Sequence, residues 1–430
     1  MVRLEEHKEL TERKAIQQAA LPSKVFLPLL QHLGKTLDIL NVKAGDAVKR
    51  GQCLATSDKG VFAPIHASIS GTIKSIADHP HPVVGFCRAI AIDSDAKDEA
   101  VSEMQPRSEQ EVDALSPEEL KNNIFEAGIV GLGGATFPTH IKLSPPQPIE
   151  HFILNGAECE PYLTTDHRLM VEKTDEIIKG AKLIAKVIRP KRFYVAIEDN
   201  KPDAIKVMRE RCRMFHWDVI VLKTAYPQGG EKQVIKSCLK KEVPSGKLPF
   251  DIGVLVQNVA TVYAIYEALY LRKPLIERVV TVAGPCLANP KNLLVRLGTP
   301  IRDLIEQCGP LVREPKKIIM GGPMMGVAQY TLDGPVIKGT SGIVVLDEVE
   351  NKEQEESFCV RCGECLQNCP IGLNPGLISM AIARDRLDLA QEYGIMDCIE
   401  CGLCAYLCPG RRNIVQAIKT AKAKIRSVKR

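Results

Sequence analysis

The sequence lacks both a secretory signal and a segment long enough to cross a membrane. Its first eighteen residues, MVRLEEHKELTERKAIQQ, are polar and charged and include no apolar core of the kind that a signal peptide needs. The most apolar window, IGVLVQNVATVYAIY (252–266), is interrupted by Gln257 and Asn258 and is shorter than the roughly 20 residues of a spanning helix. We therefore expect a soluble chain.

Aromatic residues and excess charge are also scarce. Phe, Trp and Tyr make up 5% of the 430 residues, and the formal net charge is only +5. A charge of this size does not indicate a nucleic-acid-binding protein. The apolar fraction of 45% is ordinary for a globular protein, and the length allows about two to four domains.

A disulfide framework is absent as well. Seven of the fifteen cysteines are scattered, and an odd, scattered set argues against regular pairing, so we expect reduced and mostly buried thiols. These seven are Cys53, Cys87, Cys159, Cys212, Cys238, Cys286 and Cys308. The other eight lie in two runs with the pattern C-x2-C-x2-C-x3-C-P, which are CVRCGECLQNCP (359–370) and CIECGLCAYLCP (398–409).

The repeated run predicts two [4Fe–4S] clusters. In bacterial two-cluster ferredoxins with this spacing, three cysteines of a run bind one cluster and the fourth completes the cluster of the other run. The first tetrad is then Cys359, Cys362, Cys365 and Cys408. The second tetrad is Cys369, Cys398, Cys401 and Cys404. Two such clusters indicate an electron-transfer chain rather than a substrate-activating centre.

Zinc binding is the alternative to that assignment. A zinc site takes four ligands, usually as two pairs separated by a longer stretch, and has no use for a third cysteine at the same spacing. Pro370 and Pro409 restrict the backbone after each run, and Gly363 and Gly402 let it pass close to inorganic sulfide. The pattern therefore favours iron–sulfur clusters over zinc.

Residues 22–95 are predicted to form short strands separated by turns. The segments VKAGDAVKRGQ and APIHASISGTI are similar to the two halves of a biotinyl- or lipoyl-carrier domain, but the tip PIHASIS has no carrier lysine. We predict a barrel-sandwich hybrid without a prosthetic group, in which His66 is a turn or interface residue. A carrier function is excluded by the missing lysine.

The remainder of the chain alternates between helix-rich and strand-rich patterns. After an acidic linker, a capping box of Ser116 and Glu119 begins a region of alternating buried-looking strands and helices, which predicts a mostly parallel sheet. The predicted organisation is multidomain α/β, with a barrel-sandwich hybrid at 1–95, a linker at 96–116, an α/β domain at 117–272, a β-grasp domain at 273–348, a two-cluster ferredoxin-type α-helical domain at 349–412 and a basic C-terminal helix at 413–430.

A glycine-rich loop in AGIVGLGGATFPTHIKL (127–143) is the second candidate site. Gly131, Gly133 and Gly134 free the loop to present backbone N–H groups to an anion, and Lys142 adds a charge nearby. The segment lacks the GK[ST] of a P-loop and does not follow a clear strand as a Rossmann fingerprint does. A tight structural turn is therefore the alternative.

Three later segments place polar side chains at the ends of predicted strands. Open α/β sheets bind ligands at the carboxyl ends of their strands, so we expect these side chains to meet there. Helix caps or ion pairs are the alternative roles for such carboxylates. The segments are NGAECEPY with Asn155, Glu158 and Glu160, YPQGGEKQ with Glu231, and VQNVATVYA with Asn258.

These segments carry a family resemblance. GLGGATFPTHIKL, NGAECEP, YPQGGEKQ and VQNVAT resemble, in order, motifs of the flavin-bearing, NADH-oxidising subunit of respiratory complex I. The order of modules is more similar still to the RnfC family, which belongs to the Rnf electron transport complexes. That likeness covers nearly the whole chain and includes ELT, APIHASISGT, EDNKPDAI, GGPMMG and IKGTSGI.

The resemblance implies a Rossmann-like fold that binds FMN and NAD(H), followed by a soluble-ligand-binding β-grasp (SLBB) domain. It implies that hydride moves between nicotinamide and flavin and that single electrons then pass through the clusters, with no catalytic acid or nucleophile. The implied FMN residues are Gly131, Gly133, Gly134, Lys142, Asn155 and Asn258. Nicotinamide recognition is implied near Glu158, Glu160 and Glu231.

The resemblance also implies a peripheral subunit at the cytoplasmic face of the bacterial inner membrane. Such a subunit passes electrons between NAD(H) and a partner iron–sulfur subunit in a complex that moves ions across the membrane. The chain departs from the complex I pattern at Thr136, where relatives carry glycine, and at Leu132, where they carry arginine. A soluble cobalamin reductase and an electron-relay subunit with a degenerate flavin site are the alternatives.

The last twenty residues are basic and contain no acid. Val415, Ile418, Ile425 and Val428 recur at near-helical spacing among them. A basic amphipathic helix of this kind is predicted either to contact anionic lipid or an acidic partner, or to be a solvated terminal helix.

Overall fold

The computed structural model describes residues 1–349 and 355–428. The strands are β1 (Ile16–Gln18), β2 (Lys24–Pro28), β3 (Ile39–Leu40), β4 (Ala47–Val48), β5 (Cys53–Thr56), β6 (Ile65–His66), β7 (Gly71–His81), β8 (Gly85–Ser94), β9 (His151–Gly156), β10 (Arg192–Glu198), β11 (Asp218–Leu222), β12 (Val254–Asn258), β13 (Glu277–Ala283), β14 (Lys291–Arg296), β15 (Lys317–Met320), β16 (Val327–Ala328) and β17 (Gly342–Leu346). The α-helices are α1 (Glu109–Ala114), α2 (Pro117–Glu126), α3 (Thr139–Lys142), α4 (Thr165–Glu172), α5 (Thr174–Ile188), α6 (Pro202–Cys212), α7 (Glu231–Leu239), α8 (Val259–Tyr270), α9 (Ile301–Gln307), α10 (Glu364–Gln367), α11 (Pro375–Ala383), α12 (Leu387–Glu392), α13 (Leu403–Tyr406) and α14 (Ile414–Val428). In the described part of the chain, none of these helices is both long enough and apolar enough to cross a bilayer.

The N-terminal barrel-sandwich consists of a four-stranded sheet in the order β2-β8-β7-β4 and a three-stranded sheet in the order β3-β5-β6. All of its strand pairs are antiparallel, as expected for alternating apolar and polar residues joined by short turns. His66 is buried, and burial followed by the charge of Lys338 lowers its pKa to about 3. A buried, neutral histidine of this kind fits the predicted interface role.

The α/β domain is a parallel four-stranded sheet in the order β11-β10-β9-β12. The chain runs outward from β9 through β10 to β11 and then returns to the other side of β9 with β12. The strand order therefore reverses between β9 and β12, and such a reversal opens a crevice at the carboxyl ends of the two strands. The predicted capping box is present at the start of α2, where Ser116 and Glu119 bond reciprocally.

The third sheet has six strands in the order β1-β14-β13-β17-β15-β16. Its edge strand β1 comes from the N-terminal segment and pairs in parallel with β14. Residues 16–18 thus lie in the sheet of the predicted β-grasp domain, although the predicted boundary groups them with the barrel-sandwich. The pairing of β1 with β14 could not be predicted, because a three-residue strand has no sequence pattern that indicates a partner 276 positions away.

The helices α10 to α14 form the cysteine-rich domain. Its core contains Ile378 and Ile395 together with Ile414, Ile418 and Ile425 of α14. The apolar face of the terminal helix is therefore packed against its own domain, which is unfavourable for the predicted lipid contact. Of the residues named for that contact, the side chain of Val428 lies outside the described part of the chain.

Candidate flavin and iron–sulfur site

The glycine-rich loop follows α2 and faces the reversal between β9 and β12. It is closed by hydrogen bonds from the Gly131 amide to the Phe137 carbonyl at 2.9 Å and from the Thr136 amide to the Gly131 carbonyl at 3.1 Å. Among the residues that the structure describes, the amides of Gly133, Gly134 and Ala135 make no backbone–backbone hydrogen bond. Consecutive free amides in a turn form an anion-binding concavity, so this loop fits a flavin phosphate.

Asn155 and Asn258 lie side by side at this edge of the sheet. Asn155 is the last residue but one of β9, Asn258 ends β12, and the two are direct partners in the parallel register. The Asn155 amide donates to the Gly229 carbonyl at 2.9 Å, and Asn258 caps α8 by accepting hydrogen bonds from the Ala260 and Thr261 amides. Both predicted residues therefore line the crevice, but each is also fixed by the protein.

Gly133 contacts the side chain of Asn258. A Cβ atom at position 133 would lie 3.3 Å from the Asn258 Cβ atom and 3.4 Å from its amide nitrogen. At Gly134, φ is +107° and a Cβ atom would meet nothing within 4 Å. A side chain at position 133 would thus press on Asn258, and the backbone conformation of Gly134 favours glycine.

Lys142 and Glu231 form an ion pair across the loop. The Lys142 Nζ atom lies 2.6 Å from the Glu231 Oε1 atom, and both side chains are partly exposed. Lys142 ends α3, while Glu231 begins α7 after the second glycine-rich turn. Two segments that the sequence marks separately therefore meet at one place.

Glu158 caps a helix with its carboxylate. Its oxygens accept hydrogen bonds from the Thr165 hydroxyl at 3.0 Å, the Asp166 amide at 2.7 Å and the His167 amide at 3.1 Å, all at the start of α4. A carboxylate at this end also interacts favourably with the helix dipole. The structure thus engages Glu158 in an internal contact, in line with the cap that the sequence leaves open as an alternative.

Glu160 binds the turn of the GGPMMG motif. Its carboxylate accepts hydrogen bonds from the Met324 amide at 3.1 Å and the Met325 amide at 2.9 Å. Burial raises the pKa of Glu160 to about 7, although the two amides and Lys8 oppose that shift. The second predicted nicotinamide residue therefore connects the α/β domain to the β-grasp domain.

The two departures from the complex I pattern occupy defined positions in the loop. Thr136 adopts a φ of +49°, and its methyl group points at Gly339, where a Cβ atom would approach it to 2.8 Å. Leu132 is buried and donates its amide hydrogen to the Thr261 hydroxyl at 2.8 Å. The loop therefore keeps a defined shape with both residues in place.

Two buried lysines support the NGAECEP segment, and the site residues predicted from the sequence do not include them. The Lys8 ammonium donates to the carbonyls of Glu158 at 2.8 Å, Glu160 at 3.0 Å and Leu163 at 2.5 Å. Lys201 donates to the Ala157 carbonyl at 2.7 Å and pairs with Glu198 at 3.0 Å. Lys201 lies within the EDNKPDAI motif and Lys8 directly precedes ELT, so these motifs are the signal that points to them.

Lys338 and Arg278 play a similar part under the glycine-rich loop. The Lys338 ammonium donates to the carbonyls of Pro64 and Gly128, both at 2.7 Å, and so joins three domains. Arg278 is buried and donates to the carbonyls of Lys338 and Leu132. The IKGTSGI motif contains Lys338, whereas Arg278 lies in none of the motifs that carry the resemblance.

The second tetrad surrounds a small cavity between α11, α13 and α14. Its four cysteines line this cavity with apolar residues, including Ile371, Leu373 and Ile418. The amides of Leu373 and Glu400 donate to the sulfurs of Cys369 at 3.3 Å and Cys398 at 3.4 Å. Hydrogen bonds to sulfur and an apolar wall are what a buried iron–sulfur cluster needs.

The first tetrad is more open. Cys359 and Cys362 are exposed, whereas Cys401 and Cys404 of the second tetrad are buried. The thiols of Cys359 and Cys362 lie close enough to Cys365 to raise its pKa, after burial as the larger cause. The fourth member, Cys408, packs against the same helical core. The two tetrads therefore differ in solvent access within one domain.

In the parts of the chain that the structure describes, no three His, Cys, Asp or Glu side chains are arranged to bind a single metal ion. Each thiolate of a cubane binds a different iron atom, so its ligands lie farther apart than those around one zinc ion.

Four known domain families match successive parts of the chain. They are the RnfC barrel sandwich hybrid domain (residues 2–97), the Nuo51 FMN-binding domain (124–267), the SLBB domain (279–328) and the 4Fe-4S dicluster domain (351–409). These matches confirm the predicted fold class, and the two cofactor-binding domains confirm the predicted FMN and [4Fe–4S] cofactors. The residue boundaries of the domains stay predictions.

A solved structure shares the fold. A chain of the crystal structure of an NAD+-reducing [NiFe]-hydrogenase in the H2-reduced state superimposes with a TM-score of 0.51 at 16% identity. The match covers 73% of this chain and 65% of that one. At this identity the similarity concerns the fold alone.

Curated relatives are similar over almost the full length. The C component of the proton-translocating ferredoxin:NAD(+) oxidoreductase complex of Clostridium ljungdahlii is 47% identical over 98% of this chain and 93% of its own length. The C component of the Na(+)-translocating ferredoxin:NAD(+) oxidoreductase complex of Acetobacterium woodii is 40% identical over 97% and 94%, respectively. With these identities and this coverage, the chain belongs to the RnfC family of ion-translocating oxidoreductase subunits.

Proposed function

We propose that this chain is the NADH- and FMN-binding, iron–sulfur subunit of an ion-translocating ferredoxin:NAD+ oxidoreductase complex. FMN would join the two-electron chemistry of nicotinamide to the one-electron chemistry of the clusters. The observation that carries the proposal is the loop of free amides at the reversal between β9 and β12, in a chain that also contains two complete cysteine tetrads.

The residues of this chain bind and orient; none acts as an acid or a nucleophile. Gly133 and Gly134 would receive the flavin phosphate through their free amides, and Gly131 would close the loop around it. Asn155 and Asn258 would lie beneath the crevice. Support comes from the free amides of the loop and from the register that pairs the two asparagines. Removing water from such a crevice strengthens every polar contact in it.

The nicotinamide would lie above the segment with Glu158 and Glu160, beside the pair of Lys142 and Glu231. Glu158 and Glu160 would act by fixing the segment, because their carboxylates already accept hydrogen bonds from α4 and from the Met324 turn. The partly exposed Glu231 is then the carboxylate that can contact a dinucleotide directly.

The eight run cysteines would bind two [4Fe–4S] clusters, and a partner iron–sulfur subunit would dock over the first tetrad. Phe358 and Val360 flank its exposed thiols and are themselves 96% and 66% exposed. An apolar rim around a solvent-accessible centre suits a transient electron-transfer contact. We place the subunit at the cytoplasmic face of the membrane, because NADH and ferredoxin are cytoplasmic.

Anoxic reconstitution followed by two titrations tests this function. The purified chain should bind about eight iron atoms and one FMN, and NADH should then bleach the flavin absorbance and reduce the clusters. Low-temperature EPR of the dithionite-reduced protein should show spin-coupled signals from two reduced cubanes. Stoichiometric zinc without those signals would overturn the cluster assignment.

Two other functions predict different results. A relay subunit with a degenerate flavin site, for which Thr136 and Leu132 are the sequence support, would bind eight irons but no FMN. A soluble cobalamin reductase would reduce cobalamin with NADH in the absence of any partner. The barrel-sandwich hybrid at residues 2–97 argues against it, since that module does not lead the cobalamin reductase chain.

A further inference from the structure

The cysteine-rich domain docks onto the rest of the protein through the second tetrad. Tyr226 of the YPQGG segment is 1% exposed, and its hydroxyl donates to the Cys401 carbonyl at 2.7 Å. Tyr226, Cys401 and Leu403 form an apolar cluster that also includes Met324 and Cys159. Residues 175 positions apart thus meet in a buried contact beside a predicted cluster ligand.

The β-grasp turn contacts the same place from the other side. Gly402 has a φ of +85°, and a Cβ atom there would lie 2.7 Å from the Met324 carbonyl oxygen. The Met324 amide in turn donates to Glu160 of the α/β domain. Both neighbouring domains therefore converge on the loop that carries Cys401.

We propose that Tyr226 is a positioning residue that holds the second tetrad against the flavin domain, so that its cluster is the inner one of the two. Electrons would pass singly between the flavin site and this inner cluster. The first tetrad would then hold the outer cluster, which would accept each electron that the inner cluster gives up. The inference rests on the proposed function, and it follows from the difference in burial between the tetrads.

The test is Tyr226→Phe in the full, reconstituted chain. The substitution keeps the ring and removes only the hydroxyl. We expect hydrogen–deuterium exchange in residues 398–408 to accelerate by about tenfold, the factor for one lost hydrogen bond. Redox titration by EPR should move the midpoint of one cluster to a more negative potential, because a hydroxyl dipole near that cluster is lost. The other midpoint should stay at its wild-type value.

Tyr263→Phe is the matched control. Tyr263 lies on α8, away from the tetrads, so removal of its hydroxyl should leave exchange at 398–408 and both midpoints unchanged. Gly402→Ala offers a second route, because its methyl group would displace the Met324 turn and should accelerate the same exchange without altering Tyr226.

Two results would overturn the inference. Exchange at 398–408 that is the same in Tyr226→Phe and wild type would exclude the positioning role, and equal shifts of both midpoints would exclude an inner cluster. Failure of the proposed function can be distinguished from these results. A chain that binds eight irons but no FMN would contradict the proposed function, yet hydrogen–deuterium exchange at 398–408 could still be measured in it and compared with that of Tyr226→Phe.

Discussion

At the scale of single residues, buried ammonium groups do much of the positioning around the crevice. Lys8, Lys201 and Lys338 each bind at least one backbone carbonyl in a loop, and each is almost fully buried. A buried charge is tolerated only when hydrogen bonds replace its hydration. These lysines therefore hold the loops in conformations that the sequences of the loops alone do not specify.

Gly133→Ala should weaken FMN binding by about tenfold, which corresponds to about 1.4 kcal/mol. The added methyl group would press on Asn258 at 3.3 Å and disturb both the loop and the residue that caps α8. Fluorescence titration of the deflavinated protein measures the affinity, and the iron content should remain that of wild type. Full FMN affinity in this variant would show that the loop does not contact the flavin.

Gly131→Ala distinguishes an effect on the packing of the protein from a steric effect on FMN binding. A Cβ atom there meets only the Phe137 backbone, at an ordinary 3.7 Å, so the folded chain should accept it. Flavin loss in this variant at unchanged stability would indicate that the flavin itself approaches position 131.

Lys338 should make stability depend on pH in a definite direction. Burial lowers its pKa from 10.5 to about 7, so the folded state releases a proton that the unfolded chain keeps between those values. Below pH 7 both states are protonated and the penalty for burying the charge is complete. As the pH rises above 7, that penalty declines and stability increases.

The comparison of wild type with Lys338→Met isolates this effect. Urea midpoints measured at pH 7, 8 and 9 should rise for wild type relative to the variant, which has no ammonium to titrate. Parallel curves for the two proteins would mean that Lys338 remains charged in the folded state.

At the scale of secondary-structure elements, α14 has a structural role. Its apolar face contributes to the core of the cysteine-rich domain, and Lys422 is buried within that contact. The Lys422 ammonium donates to the Cys398 carbonyl at 2.8 Å and pairs with Glu400 at 2.6 Å. One turn of this helix therefore supports the segment that begins the second run.

Lys422→Met should loosen the second tetrad and leave the first intact. Without the ammonium group, the Cys398 carbonyl and the Glu400 carboxylate lose their hydrogen-bond donor and face an apolar side chain. We expect this loss to destabilise the folded domain by about 1–3 kcal/mol. In a mild iron chelator, about four of eight irons should leave faster than in wild type. The control is Lys424→Met on the exposed side of the same helix, which should release iron at the wild-type rate.

Contacts between secondary-structure elements of different domains could not be predicted from the sequence. The cysteine spacing is a local pattern, and it is sufficient to predict the cluster ligands. The asparagines at the strand ends are also a local pattern, and they predict which edge of the sheet binds a ligand. The contacts of Lys8 with Glu158 and of Tyr226 with Cys401 span 150 and 175 positions. Such contacts depend on how domains dock, and no local period encodes that docking. The strand β1 is missed for the same reason, since its partner lies in another domain.

At the scale of the whole molecule, the two tetrads face different surroundings. One is covered by the α/β and β-grasp domains, and the other opens to solvent. In the proposed arrangement, the second tetrad lies between the flavin crevice and the more exposed first tetrad. An electron-transfer protein needs such an order, because its partners can approach only from outside.

Alkylation of the iron-free chain should reveal this difference. Cys359 and Cys362 should react with iodoacetamide faster than Cys401 and Cys404, because the latter pair is buried and burial raises the pKa of Cys401 to about 11 and of Cys404 to about 12. Mass spectrometry of timed samples gives the rate at each site. Equal rates at all four thiols would contradict the inner and outer arrangement, and reconstitution with iron and sulfide should protect all of them.

The close approach of Gly402 to the Met324 carbonyl constrains how the ferredoxin-type unit can be exchanged. A chimera that replaces residues 349–412 with another two-cluster ferredoxin will accept only donors with glycine after the sixth cysteine of the two runs. Otherwise the GGPMMG turn must be redesigned together with the graft. The ferredoxin-type domain is a separate module in the sequence, but its close contact with the β-grasp domain limits which domains can replace it.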